Sequence, residues 1–185
     1  MGGMLGALVG SFVPVPGSFE SIATAVGTGS SGTITFNSIP STYKHLQIRV
    51  LGLQNQFSGR SIRMRLNGDT ATNYSRHNLT GAGGAAVAGG AANQNLMIVC
   101  ANSNGLPIST TIGGVSIIDI HDYSSTTINK TIRAFAGFND NTANTEVNLY
   151  SGNWRNTAAI TSVTLFIDAG NWTTASVFSL YGIKG

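Results

Sequence analysis

One short stretch, His45-Leu46-Gln47-Ile48-Arg49-Val50, restricts most strongly what this chain can become. Leu46, Ile48 and Val50 fall on one face and His45, Gln47 and Arg49 on the other, the period of two of a pleated strand with one buried side. Ile62, Met64 and Leu66 alternate likewise with Ser61, Arg63 and Arg65, and Asn67-Gly68-Asp69 then supplies residues that tolerate positive φ, so a hairpin entrance is expected there. Alternation returns at Val147-Leu149, at Val163-Leu165-Ile167 and from Val177 to Ile183, while Val115 to His121 and Ile128 to Phe138 are more continuously apolar. Turn signals separate these runs at the spacing of a sandwich. The expected fold is all-β, an antiparallel β-sandwich, jelly-roll-like, of about ten short strands with an extended N-terminal arm.

Composition supports that reading. Only 9% of the chain is Asp, Glu, Lys or Arg, against about 25% in a typical soluble domain. Polarity rests on Ser, Thr, Asn and Gly, which solvate strand faces and turns without the long side chains that favour helix. The 185 residues suit one domain. Residues 1–19 form an apolar, Gly-rich arm that closes on Val13-Pro14-Val15-Pro16-Gly17, whose prolines forbid helix, and residues 20–185 form the sandwich domain. The arm lacks the basic start of a secretory signal and is too short and Gly-rich to span a bilayer, so no membrane association is expected. Its Met4, Leu5, Leu8, Val9 and Phe12 would be an aggregation hazard in water, which points to docking on a partner subunit. Residues 81–93, made of Gly and Ala around Val87 and ending at Asn93, read as a long loop.

Several functional classes lose support. The net charge of +3 comes from scattered residues with no Lys or Arg run, too weak a field for nucleic-acid binding. Cys100 is the single cysteine and sits in an apolar run as a small core residue. Asp119, His121 and Asp122 with Ser116 nearby are the best catalytic candidates, and alternate positions would place Asp119 and His121 on one face, but no nucleophile elbow accompanies them. Asp119 and Glu146 are the first carboxylates to consider for glycan hydrolysis, without convincing pairing. Neither Asp119, His121 and Asp122 nor Asn67 and Asp69 bring further metal ligands at a recognisable spacing. The Gly-rich stretch 81–90 lacks the Lys-Ser/Thr ending of a phosphate loop. No enzyme activity and no cofactor are expected.

Two patterns suit binding. Gly-Asn-Trp occurs at Gly152-Asn153-Trp154 and at Gly170-Asn171-Trp172, and an exposed indole beside an amide suits a sugar ring. The competing reading makes Trp154 and Trp172 covers for the ends of the core. Arg49, Arg63 and Arg65 project from the outer faces of what look like neighbouring strands, and together would make a basic stripe for an acidic partner.

Three stretches carry a family resemblance: Ser18 to Thr24 leading into Gly32 to Phe36, Ile39 to Arg49, and Arg65 to Asp69 followed by Asn73-Tyr74. With the closing Phe178-Ser179-Leu180-Tyr181-Gly182-Ile183, they resemble a family of small virion structural proteins of tailed bacteriophages, described as decoration or tail-fibre proteins. The likeness covers most of residues 18–185, whereas the arm and the Gly/Ala segment depart from the pattern. It implies a virion protein assembled in the host cytoplasm. The leading expectation is a capsid decoration or cement protein that forms a homo-oligomer, a trimer, and contacts other virion proteins such as the major capsid protein. The alternative is a tail-fibre or receptor-binding module that recognises host surface polysaccharide through Trp154, Trp172, Asn153 and Asn171.

Overall fold

The computed structural model describes residues 17–56, 61–100, 110–139, 141, 145–167 and 169–185. The proposed arm contacts Met4, Leu5, Leu8, Val9 and Phe12 lie outside the described residues. The strands are β1 (Phe19–Val26), β2 (Thr33–Phe36), β3 (His45–Gly52), β4 (Ile62–Leu66), β5 (Tyr74–Ala82) and β6 (Ala85–Gln94), then β7 (Met97–Cys100), β8 (Gly114–Ile120), β9 (Lys130–Phe138), β10 (Glu146–Trp154), β11 (Val163–Phe166) and β12 (Val177–Ile183).

The chain is all-β, a sandwich of two antiparallel sheets, with no helix among the described residues. The large sheet has eight strands in the order β1-β12-β3-β8-β9-β10-β5-β6, and the small sheet has four in the order β2-β11-β4-β7. Eight of the eleven connections cross from one sheet to the other, so both sheets share one core. Phe19, assigned to the arm by sequence, already belongs to β1, where it pairs with Ile183.

The alternating residues supply that core as expected. Leu46, Ile48 and Val50 of β3 face Ile62, Met64 and Leu66 of β4 and Val163 and Leu165 of β11, all buried. Burying a side chain of this size contributes about 1.5–3 kcal/mol, so the facing rows of the two sheets dominate the stability. β10 reverses the pattern. Its apolar pair Val147 and Leu149 faces solvent, while Glu146, Asn148 and Tyr150 face inward. Asn148 Oδ1 accepts a hydrogen bond at 2.6 Å from Thr80 Oγ1, its register partner on β5, which satisfies the side-chain oxygens of this buried pair.

Two local features differ from the sequence reading. The turn at Asn67-Gly68 forms with φ of 50° and 65°, but it does not open a hairpin. The next strand, β5, enters the other sheet, and β4 pairs with β11 and β7. Asn67 is held instead by its own amide, which donates to Ala159 O at 2.8 Å and accepts from Thr161 N at 2.8 Å. The expected loop 81–93 is a β-hairpin, in which β6 runs antiparallel to β5 around Gly83, at φ 55°, and Gly84. Gly and Ala have weak strand propensity, but here the backbone ladder to β5 supplies the bonds that the side chains do not.

Two polar anchors close the ends. Lys130 begins β9 fully buried, and its ammonium donates to the carbonyls of Ser125 (2.7 Å), Ile128 (2.8 Å) and Thr157 (3.0 Å). Burial pushes its pKa below the ordinary lysine value. At the β1–β12 edge, Glu20 accepts from Lys184 at 2.6 Å and from Tyr43 Oη at 3.0 Å. Those two donors, Lys184 first, hold its carboxyl below the usual range. The Tyr43 ring lies so close over Gly182 that a Cβ there would sit within it, which gives the Tyr-Gly of the closing motif a packing reason.

Candidate interaction surface

The outward face of the large sheet is the feature that polarity leaves unexplained. Its register lines up outward side chains in rows across the strands, three of which define its character. One row reads Val26, Val177, Leu51, Val115, Gly137, Val147, Gly81, Ala86 across all eight strands. The next reads Thr24, Ser179, Arg49, Ile117, Phe135, Leu149, Leu79, Ala88. The third is polar: Gln47, Asp119, Arg133, Ser151, His77, Gly90.

The first two rows hold nine of the twelve large hydrophobic residues exposed among the described residues. Phe135 is 56% exposed and Val115 52%. Together the nine expose roughly 750 Å² of side-chain surface, above the 300–600 Å² typical of the largest patch on a soluble monomer. The face also contains a cavity of about 450 Å³, where Val115, Ile117, Phe135 and Val147 surround Gly137. Gly137 is required there, because a Cβ would come within 2.9 Å of Glu146 O.

Arg49 is the one charge in the two apolar rows, and it is tied sideways. Its guanidinium lies 5.4 Å from the Phe19 ring centroid and 5.5 Å from that of Tyr181, and Nε donates to Gln47 Oε1 at 3.1 Å. Asp119 takes Gln47 Nε2 at 2.9 Å and an ion pair with Arg133 at 3.3 Å, so the polar row is knitted together along one margin of the apolar strip.

The sequence-derived sites fare unevenly. The basic stripe is not formed, because Arg49 lies on the large sheet and Arg63 and Arg65 on β4 of the small one. Arg65 instead sits 4.8 Å from the Phe166 ring centroid and donates to Asn95 O. The sugar-stacking geometry also fails: Trp154 is 1% exposed and Trp172 0%, so neither ring face is offered to a ligand. Trp154 Nε1 donates to Asp69 Oδ2 at 2.7 Å, while Trp172 packs edge-on to Phe178 at 5.1 Å above Gly52. Asn171 is a backbone partner of Asn55. Asn153 donates to Lys130 O at 3.3 Å and lines an open hollow of about 560 Å³ with His77, Thr131 and Ser151, which has no Trp, Tyr or Phe in its wall.

Asp119 and Ser116 point to opposite faces of β8, and the Ser116 hydroxyl donates inward to Val99 O at 2.9 Å. Asp122 is engaged by Lys44 at 2.5 Å, and its N–H donates to His45 Nδ1. The Lys44 ammonium, above all, holds the Asp122 carboxyl low despite its partial desolvation. Cys100 is fully buried, and burial pushes its thiol up to about 12, well away from reactivity. Among the described residues no group of three or more His, Cys, Asp or Glu could hold a metal ion.

Neither a protein-family model, nor a curated protein, nor a solved structure matches the chain. The apolar strip was missed by sequence because alternation shows that two faces differ, but not which one meets water. Val115, Ile117, Phe135, Val147 and Leu149 were all legible as strand residues, and only the register turns them into a surface.

Proposed function

We propose that the chain is a structural protein of a tailed-phage particle, a capsid decoration protein that works by burying apolar area against neighbours and not by chemistry. The observation that carries this reading is the apolar strip across the large sheet, a surface that a chain working alone in water would have to keep covered. Two further points support it. The phage resemblance runs over most of residues 18–185, and the side chains that looked chemical are engaged in holding strands together. The apolar sequence around Met4, Leu5, Leu8, Val9 and Phe12 supplies a second attachment element in this proposal.

A shell protein of this type adds interface area to a lattice under internal pressure, and each covered strip stabilises the assembled state by linkage. The test is the number of copies per purified particle, measured by quantitative mass spectrometry against the major capsid protein. Decoration requires on the order of hundreds of copies, following the shell symmetry; a complement of roughly a dozen places the chain on the tail and overturns it. The tail reading has one observation in its favour, the open hollow where Asn153, His77, Thr131 and Ser151 offer donors and acceptors to hydroxyl-bearing ligands.

A further inference from the structure

On the five neighbouring strands β8, β9, β10, β5 and β6 the two apolar rows are complementary to each other, while on β1, β12 and β3 they set Val26 against Thr24, Val177 against Ser179 and Leu51 against Arg49. On β9 the largest residue, Phe135, belongs to one row and Gly137 to the other. On β5 the same holds for Leu79 and Gly81. β8 carries Ile117 and Val115, β10 carries Leu149 and Val147, and β6 carries Ala88 and Ala86. On both strands where one row lacks a side chain, a large exposed residue stands in the other.

From this we infer that the strip is covered by a second copy of the same chain, packed face to face about a two-fold axis. The axis lies in the interface and runs across the strands midway between the rows. Rotation about it sets each row of one copy on the other row of its partner. Phe135 then enters the cavity over Gly137 of the second copy, and the second copy's Phe135 does the same in return. Leu79 meets Gly81, Ile117 meets Val115, Leu149 meets Val147, and Ala88 meets Ala86. Such reciprocity is the defining property of an isologous contact. The strands stay nearly aligned across the gap, as in ordinary sheet-on-sheet packing at about 10 Å.

The area agrees. Roughly 750 Å² of exposed apolar side chain per copy compares with about 800 Å² per partner in a stable interface of standard size. The margin agrees too, since the same rotation brings Arg133 of the polar row over Asn139 and Thr145 of the second copy, polar on polar at the rim. This geometry closes on two copies rather than on the trimer expected from sequence. It deepens the assembly reading and rests on it only for the premise that the strip is covered.

The experiment is sedimentation velocity on the full chain, with Phe135→Glu and Leu149→Lys as separate variants and Thr35→Glu, on the exposed face of the small sheet, as control. The wild type and Thr35→Glu are expected at the mass of two chains. Phe135→Glu and Leu149→Lys should each sediment as one chain, with association weakened about a thousand-fold because every substitution occurs twice in a two-fold contact. Both positions are exposed in the single chain, so melting temperature and far-ultraviolet circular dichroism should stay at the monomer level. A wild-type monomer, a trimer, or a pair that survives both substitutions overturns the pairing. Those results leave the copy number per particle, and with it the decoration reading, to be judged on its own.

Discussion

Asp69 and Trp154 form the contact whose removal should be the most informative. Asp69 follows the turn at Asn67-Gly68, and its Oδ2 accepts from Trp154 Nε1 at 2.7 Å and from Asn73 Nδ2 at 2.9 Å, while Oδ1 accepts from Ala71 N at 2.8 Å. Asp69→Ala removes all three. Ala71 and Asn73 are near solvent and can turn to water, so the buried indole N–H dominates the loss. A hydrogen bond to a charged group contributes about 1.5–3 kcal/mol, and stranding its buried partner brings the cost of Asp69→Ala to about 3 kcal/mol. Trp154→Phe should lose a similar amount, from the same bond plus the missing part of the ring. In a domain of this size about 3 kcal/mol lowers Tm by roughly 6–12 °C. The two variants share one bond, so the double variant should fall short of the sum by about 2 kcal/mol.

Calorimetric melts of wild type, both single variants and the double variant read these numbers. Strictly additive losses, or a Tm unchanged in Asp69→Ala, would refute the reasoning. Acid supplies an independent check. Burial opposes the charge on Asp69, but the Asn73, Trp154 and Ala71 donors outweigh it and hold the carboxyl below its ordinary value of 3.8. A depressed folded pKa means that the stabilisation is complete above the unfolded value and fades as pH falls towards the folded one. The Tm gap between wild type and Asp69→Ala should therefore be constant near neutrality and narrow below about pH 4. One practical consequence is that lost host adsorption in Trp154→Ala would report unfolding before it reported a sugar site.

Two further substitutions probe the ends of the sandwich. Lys130→Met should cost about 2 kcal/mol in urea titration, because the carbonyls of Ser125, Ile128 and Thr157 lose their shared charged donor; an unchanged midpoint would mean that this ammonium anchors nothing. Gly182→Ala should destabilise by at least about 2 kcal/mol through overlap with the Tyr43 ring, and Tyr43→Ala in the same chain should return part of that loss; a Tm equal to wild type would show that the ring can move aside at no cost.

Much of the fold was legible because β3, β4 and β11 keep a strict period of two with apolar residues turned inward. The Gly/Ala hairpin was not, since its strand character resides in backbone pairing to β5, although the Gly83-Gly84 pair at its tip was a readable turn signal. Arg49 and Arg63 looked like neighbours because their strands follow one another in sequence, but the chain changes sheet between them. The Gly-Asn-Trp repeats drew attention to two residues that matter, yet composition cannot tell a ring that covers a core from one that offers its face to a ligand. The candidate surface was the least legible part. Its row partners lie far apart in sequence, as Leu51, Val115 and Val147 do, and only the hydrogen-bond register lines them up.

The order of strands in the large sheet also constrains how the chain comes to be folded. β3, near its middle, pairs with β8 on one side and with β12 on the other, and β1 pairs only with β12. On the ribosome, at about 5–20 residues per second, β1 and one edge of β3 must wait several seconds until residues 177–183 have been made. Through that interval the nascent sheet presents open hydrogen-bonding edges beside its apolar rows, with few charged residues to keep neighbouring chains apart. Synthesis rate and chaperone supply, more than final stability, should then govern how much of this protein reaches its folded state in the cell.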